Sequence, residues 1–504
     1  MARETELKFL VDPDFELPSL ESTGAGIFSV VELPSQALSA IYYDTDDLRL
    51  ARSGLTLRHR TGEVGVQPWT LKLPVNGIEI ARDEITYDAG PGEPPPGAKE
   101  LLTAFVRGRS LRPVTQIKTK RLRWSLVGPE GQDLGELVDD RVSVLNGASI
   151  TQRFREIEVE SHDFDETGLK KVAAGMRKAG ASAPDQLPKA LRALGERALA
   201  PPDWFVLPPS PDDPVSTAVK ASIAAAAKRI ISHDPAARSG DPEGVHQMRV
   251  AVRRLRSDLR MFAAILDPVW SQELTAELRW LGDVLGPARD ADVLIDRLRS
   301  DSADLGDAIG PIFEEMERWR SAAAITLKAG IGDSRYVALL DRLLRDLAEP
   351  NVLSEASDAC RRVMPRLVAE TWRPFAHKAR GVNSDSADEE LHAVRILAKR
   401  TRYAAEAAAQ CLGPESGREA VRFAKGAEEI QNILGEHQDA AIARRKLMDM
   451  ATVQLENGPL SFAIGRLVER QSVAGERSRR LFDDSWRRLD QKGKRTWLNR
   501  RGSR

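Results

Sequence analysis

Cysteine is nearly absent from this 504-residue chain, which has only Cys360 and Cys411. They lie far apart in sequence and form no CxxC, so neither a disulfide framework nor a zinc-thiolate site is expected. Long apolar runs are also missing. No window reaches the roughly 18 apolar residues of a membrane span, and the opening Met-Ala-Arg-Glu-Thr-Glu is charged where a signal peptide would be apolar. The seven histidines form no HExxH, and no GxxxxGK, GxGxxG or GxSxG is present. Zinc-protease, nucleotide-loop and serine-hydrolase chemistries therefore have no motif to stand on. The expectation is a cytoplasmic protein without a membrane partner.

What is present divides near residues 205–214. Up to about residue 160, strand-like alternation as in Leu55-Thr-Leu-Arg-His-Arg60 and Trp69-Thr-Leu-Lys-Leu73 is punctuated by turn signals at Asn76-Gly77, Gly128-Pro-Glu-Gly131 and Asn146-Gly147. This predicts about eight antiparallel strands, followed by a helical stretch from Asp165 to about Ala200. Pro201-Pro202 and Pro208-Pro-Ser-Pro-Asp-Asp-Pro214 then read as a stiff linker. From Val215 onward the spacing is helical. The expected organisation is α+β and multidomain: residues 1–200, a linker at 201–214, a helical bundle at 215–495 and a basic tail at 496–504. Charge divides there too, since residues 1–210 hold 26 basic and 31 acidic side chains and residues 211–504 hold 48 and 44.

Residues two apart on a strand share a face. Glu4, Glu6 and Lys8 form one such set, as do Arg58 and Arg60, Arg82 and Glu84, and Glu156, Glu158 and Glu160, while Lys72 and the run Lys118–Arg123 add further cations. A single triplet of this kind is ordinarily the wet face of a sheet. Here carboxylates gather in the first and last strands and cations between them. Acidic groups without His or Cys select a hard cation, Mg²⁺ or Mn²⁺, and Arg and Lys neutralise the phosphates of a polyanion carried with it.

These residues resemble the CYTH superfamily, the triphosphate tunnel metalloenzymes. Glu4-x-Glu6-x-Lys8 is its ExExK signature, and LTLRHR, WTLKLP, ARDEIT, KTKRLRW, LVDDRV and FREIEVE follow in that family's order over about residues 1–200. The resemblance implies an eight-stranded antiparallel barrel forming a tunnel that binds a triphosphate and a divalent metal. Members hydrolyse triphosphates or cyclise ATP. It further implies that Glu4 and Glu6, with Glu156 and Glu158, hold the metal or support it. Lys8 joins Glu4 and Glu6 as a catalytic candidate, to orient water or act as general base, although its carboxylate neighbours oppose a lowered pKa. Arg58, Arg60, Lys72, Arg82 and Arg121 match phosphate binders, with Arg123 beside them and Glu84 and Asp140 as acidic members of the site. Both parities of the Lys118–Arg123 strand are basic, which leaves the inward set there open.

The helical half repeats itself. Val245-His-Gln-Met-Arg-Val-Ala-Val-Arg-Arg-Leu-Arg256 aligns with Leu391-His-Ala-Val-Arg-Ile-Leu-Ala-Lys-Arg-Thr-Arg402, and Val284-Leu-Gly-Pro-Ala-Arg-Asp290 with Ile433-Leu-Gly-Glu-His-Gln-Asp439. Helical spacing puts His246, Arg249, Arg253 and Arg256 in one stripe and His392, Arg395, Lys399 and Arg402 in its twin. A stripe of this kind otherwise belongs to a solvated face, but duplication with its histidine argues for a site. The pattern resembles the CHAD domain, a helical domain with conserved histidines, over about residues 212–495. That resemblance implies binding of inorganic polyphosphate through these eight residues. Asp290 and Asp439 are expected in structural pairing, and His437 has no counterpart histidine in the first repeat.

The expected function is metal-dependent hydrolysis of inorganic triphosphate or a related polyphosphate, with an attached polyphosphate-binding domain and a possible association with polyphosphate granules. A CYTH-type adenylate cyclase and a non-enzymatic polyphosphate scaffold are the alternatives. Nucleic acid is the competing ligand for the basic stripe, disfavoured by few tyrosines and scattered tryptophans.

Overall fold

The computed structural model describes residues 5–62, 65–74, 82–183, 187–453, 457–491 and 496–498. It divides into two compact units, Met1–Asp203 and Trp204–Arg504. The N-terminal unit is built on β1 (Thr5–Val11), β2 (Ser29–Asp44), β3 (Thr56–Thr61), β4 (Trp69–Pro74), β5 (Arg82–Tyr87), β6 (Arg112–Val127), β7 (Asp133–Asn146) and β8 (Ser149–Ser161). Short helices α1 (Arg49–Arg52), α2 (Pro96–Leu101) and α3 (Thr103–Val106) lie between strands, and α4 (Glu166–Lys178), α5 (Lys189–Leu194) and α6 (Glu196–Leu199) follow them.

All eight strands join one antiparallel sheet in the order β1-β8-β7-β6-β2-β3-β4-β5. The sheet is open, which corrects the expected barrel: among the described residues β1 and β5 are edges and do not pair.

The period of two assigns the faces. Phe9, Leu137, Ile157 and Val159 point one way and are buried under Val172 and Met176 of α4. That helix is capped by Asp165, whose carboxylate accepts from Gly168 N–H. The alternate residues, Lys8, Glu136, Asp140 and Glu158, point the other way into a cavity. On this face Ala190 and Leu191 of α5 pack against Ala40, Ile117 and Val142. Burying one leucine contributes about 2 kcal/mol, enough to hold the short helix where its first residue, Lys189, meets the carboxylates.

The C-terminal unit is helical: α7 (Val215–Arg238), α8 (Pro242–Met261), α9 (Pro268–Asp301), α10 (Gly310–Gly332), α11 (Ser334–Ala348), α12 (Cys360–Arg380), α13 (Asp388–Cys411), α14 (Gly413–Val453) and α15 (Gly458–Leu489). The helices that carry the repeated stripes, α8 and α13, touch each other. Trp372, Phe375, Phe423 and Trp486 form an aromatic core with centroids 5.3 to 5.6 Å apart. Trp497, expected in a basic tail, is buried against Phe423. Cys360 and Cys411, distant in sequence, are buried neighbouring free thiols, Cys360 donating to Pro214 O and Cys411 to Ala407 O.

Because each unit has its own core, residues 1–203 and 204–504 made separately should each unfold cooperatively, with sheet and helical circular dichroism respectively. A fragment lacking its secondary structure would show that its core depends on the other half.

Candidate functional site

Every strand of the sheet, together with α5, contributes to one cavity of about 220 Å³. Seven cationic side chains line it, Lys8, Arg58, Arg60, Lys72, Arg121, Arg123 and Lys189, against five acidic ones, Glu84, Glu136, Asp140, Glu158 and Glu160. Among the described residues Tyr42 is its one aromatic lining residue. Glu4 lies outside the described residues. Glu6 and Arg82 are placed by backbone alone, opposite Glu160 and Pro74.

The acidic wall belongs to β7 and β8. Arg121 holds Asp140 through two hydrogen bonds of 2.8 and 2.7 Å and reaches Glu158 at 3.3 Å. Lys189 Nζ stands 2.9 Å from Asp140, 3.3 Å from Glu156 and 2.7 Å from Glu158, and Lys8 Nζ is 3.6 Å from Glu158. Burial pushes the Glu158 carboxyl up, but Lys189, Lys8 and Arg121 outweigh it and hold the pKa far below the usual range. Glu156 shifts the other way. Burial and the neighbouring Glu158 charge raise its pKa despite Lys189, 3.3 Å from its buried Oε2, and Arg192.

The opposite wall is cationic. Arg58, Arg60 and Lys72 come from β3 and β4, where Lys72 pairs with Glu84 at 2.8 Å. Glu84 loses some carboxylate stability to burial, but Lys72, Arg58 and Arg60 lower its pKa overall. Arg123 is held by Glu136 in a bidentate pair of 2.5 and 2.6 Å. In β6 the parity left open by the sequence resolves: Arg121 and Arg123 face the cavity, while Lys118 and Lys120 are exposed. Asp139, adjacent to Asp140, points away and pairs with Arg155.

A second cationic group forms in the helical unit. Arg249, Arg253, Arg395 and Lys399 lie within electrostatic reach of one another. Of these, Arg249 is paired, donating to Gly286 O at 3.0 Å and to Asp290 at 2.5 Å. Arg253 Nε, Arg395 Nε and His392 Nδ1 are buried without hydrogen-bond partners. His246 stands near Arg289, Arg253 and Arg249, and burial followed by those charges lowers its pKa. Burial and then Arg253, Arg395 and Arg249 pull the Lys399 ammonium down to about 7. Two stripe residues sit apart. Arg256 faces Arg279 and Arg260, and Arg402 is clamped by Glu406 and Glu428 at 2.7 and 2.8 Å. Asp439 lies near Arg395 and Arg297, and His437 is buried beside Asp388 at 3.2 Å.

The family descriptions for the CYTH and CHAD domains match residues 2–191 and 221–448. The Uncharacterized protein Rv2226 of Mycobacterium tuberculosis H37Rv is 30% identical over 519 residues, covering 97% of this chain and 96% of that protein. The chain belongs to the CYTH–CHAD family. Among solved structures it is similar to the CHAD domain from the plant Ricinus communis, with 26% identity and a TM-score of 0.47 over 57% of this chain and 96% of that one. It is also similar to the PH1819 protein from Pyrococcus horikoshii OT3, with 17% identity and a TM-score of 0.25 over 38% and 99%. No described helix is long and apolar enough to cross a membrane.

CYTH proteins are generally catalytic on triphosphates or nucleotides and depend on a divalent metal. The CYTH cavity fits such an ion in the chemistry of its acidic donors, which are all carboxylate oxygens without His or Cys. Among the described residues no three acidic, histidine or cysteine side chains form a complete metal cage. Lys189 Nζ is the cation between Asp140, Glu156 and Glu158. Sequence reasoning missed Lys189, Arg192 and Glu136. A helix of six residues after the last strand gives no alternation to read, whereas Glu136 shares the strand parity of Asp140 and was open to the period-two argument.

The opposite shifts at Glu156 and Glu158 generate a contrast. Glu158→Gln should cost about 3 kcal/mol by leaving Lys189 and Lys8 underpaired; Glu156→Gln, which relieves burial and repulsion while losing two pairs, should cost below about 1 kcal/mol. Since the folded pKa of Glu158 is depressed, its contribution is full above the unfolded value of about 4.3 and is lost as pH falls below it. Urea midpoints of the sheet's unfolding at neutral and acid pH measure both effects; equal costs at neutral pH would contradict this electrostatic reading.

Proposed function

We propose that the CYTH unit hydrolyses inorganic triphosphate, or a related short phosphoanhydride chain, with Mg²⁺ or Mn²⁺, and that the CHAD unit binds polyphosphate. The observation that carries this reading is the cavity lining: among the described residues it is densely charged, with seven cationic and five acidic side chains and a single aromatic ring, and offers no apolar slot for a base or thiazole. Such a wall favours bare phosphate over a nucleoside.

Arg58, Arg60 and Lys72 would bind phosphate oxygens from one wall, Arg58 with a buried Nε that has no internal partner. Glu156 and Glu158, with Glu4 and Glu6, would hold the divalent ion, which when bound supplies charge neutralisation and an activated water. Lys8, held beside Glu158, would orient rather than deprotonate. No general base is assigned.

A phosphate-release panel of triphosphate, long polyphosphate, ATP and thiamine triphosphate, each with Mg²⁺ and Mn²⁺, tests the reading. Orthophosphate from triphosphate is expected. Cyclic AMP with pyrophosphate would instead identify a cyclase, and binding without turnover a scaffold. Arg58→Gln should lower kcat/KM for triphosphate by roughly 10- to 100-fold, the worth of one hydrogen-bonded charge.

In the CHAD unit, Lys399 should take up a proton when a polyanion arrives, because its pKa starts near 7 and the ligand's charge raises it. Polyphosphate should therefore bind more tightly at pH 6.5 than at pH 8.5, with buffer-dependent calorimetric heats that reveal proton uptake. Lys399→Met should lose that component; an unchanged proton count would remove Lys399 from the site.

A further inference from the structure

Aligning the two CHAD repeats residue by residue exposes an asymmetry. The register that lays His246 on His392 lays Arg256 on Arg402 and Arg260 on Glu406; the register that lays Asp290 on Asp439 lays Arg279 on Glu428. Two cations in the first repeat are thus acids in the second, and both reversals surround one equivalent arginine. In the second repeat they silence it, since Arg402 is clamped between Glu406 and Glu428 at 2.7 and 2.8 Å.

In the first repeat the same position is open. The Arg256 guanidinium lies across α9 at Gly282, where a Cβ would stand 3.6 Å from its Nη1. Arg279 is on the preceding turn of that helix, and Arg260, one turn along α8, continues the stripe. Both are exposed. Arg400 of α13 adds a fourth cation near Arg260 and adjoins Lys399 of the central group. Asp283 is the carboxylate nearest Arg256, but among the described residues none of Arg256, Arg260, Arg279 and Arg400 makes an ion pair. The position of Arg260 at the helix C-terminus is itself favourable, yet that does not account for Arg256 and Arg279 facing each other across two helices. Four like charges around one unpaired carboxylate are destabilising unless an anion is to be shared.

We propose that Arg256, Arg260, Arg279 and Arg400 form a one-sided cationic arm that receives the continuation of a long linear polyphosphate leaving the central Arg253–Arg395–Lys399 group. The arm rests on the polyphosphate reading of the CHAD unit and adds to it an exit direction and a dependence on chain length. A ligand that fills only the central group does not reach it. On the second-repeat side Glu406 and Glu428 already occupy Arg402, which leaves no open charge there for the chain.

The test uses the full chain and polyphosphate fractions of short and long length, with affinity followed against salt. Arg256→Gln with Arg260→Gln and Arg279→Gln should weaken long-chain binding about tenfold and reduce the salt slope by about 2, the release expected for three contacts to a single-stranded polyanion. Short-chain binding should stay within about twofold. Glu428→Gln, which frees Arg402 from one clamp, should strengthen long-chain binding, a gain that misfolding cannot mimic. An unchanged long-chain affinity and slope in the triple variant, or an equal loss for short and long chains, overturns the arm while leaving the central site standing. A wild-type chain that ignores polyphosphate of every length but binds single-stranded nucleic acid overturns the underlying reading, and the arm with it.

Discussion

Lys189 is the contact on which the CYTH cavity turns. Three carboxylates, Asp140, Glu156 and Glu158, are almost wholly removed from water on one face of a sheet, and without a cation between them their repulsion and desolvation would cost several kcal/mol per ion. The ammonium on α5 supplies that cation. Its own place depends on Ala190 and Leu191 packing against Ala40, Ile117 and Val142, so an apolar contact in the helix's first turn sets the electrostatic balance of the residue beside it. Arg192, 3.1 Å from Glu156, repeats the arrangement one turn on. The helix therefore acts both as a wall of the cavity and as a tethered counter-charge.

The CHAD unit handles the same physics in the reverse sense. Where the cavity balances buried acids with internal cations, the crossing of α8 and α13 leaves Arg253, Arg395 and Lys399 without an ion pair among the described residues, with Asp290 and Asp439 nearby but not in contact. The helices tolerate this because the arginine stems are packed even where their heads are not neutralised. Lys399 relieves part of the strain by surrendering its proton readily, an option arginine lacks. A site prepared in this way gains most from a ligand of high, closely spaced negative charge.

Period two and period 3.6 made much of this legible. The pairs Arg58–Arg60 and Glu156–Glu158 were readable because a strand sends alternate residues to one face, and the structure gathers Arg58, Arg60, Lys72, Glu84, Arg121, Arg123, Asp140 and Glu158 around one space. The parity of Lys118–Arg123 was not readable, since a strand basic on both faces gives no phase; burial of Ile117 and Thr119 beside Arg121 decides it. Closure of the sheet was also beyond the pattern, because alternation assigns faces and says nothing about whether edge strands meet. Nor could a motif for the central stripe show which of its members are spoken for. Arg402 and Arg256 carry the same letter at the same offset, and only their neighbours on α14 and α9 make one a paired structural residue and the other an open charge.

Duplication explains why that distinction exists. Two copies of a basic helix packed together create twice the repulsion of one, and a symmetric pair would extend unpaired charge equally in both directions. Placing Glu406 and Glu428 around Arg402 removes the repulsion on one side with two residues, and Glu406 also takes Arg254 from the other repeat at 2.7 Å, so a single carboxylate stitches α8 to α13. The first-repeat side has no such stitch and keeps its charge. Ion pairing is thus concentrated where the acids are, and unpaired positive charge where they are absent: the two copies of one sequence differ in how much charge they leave open to an anion.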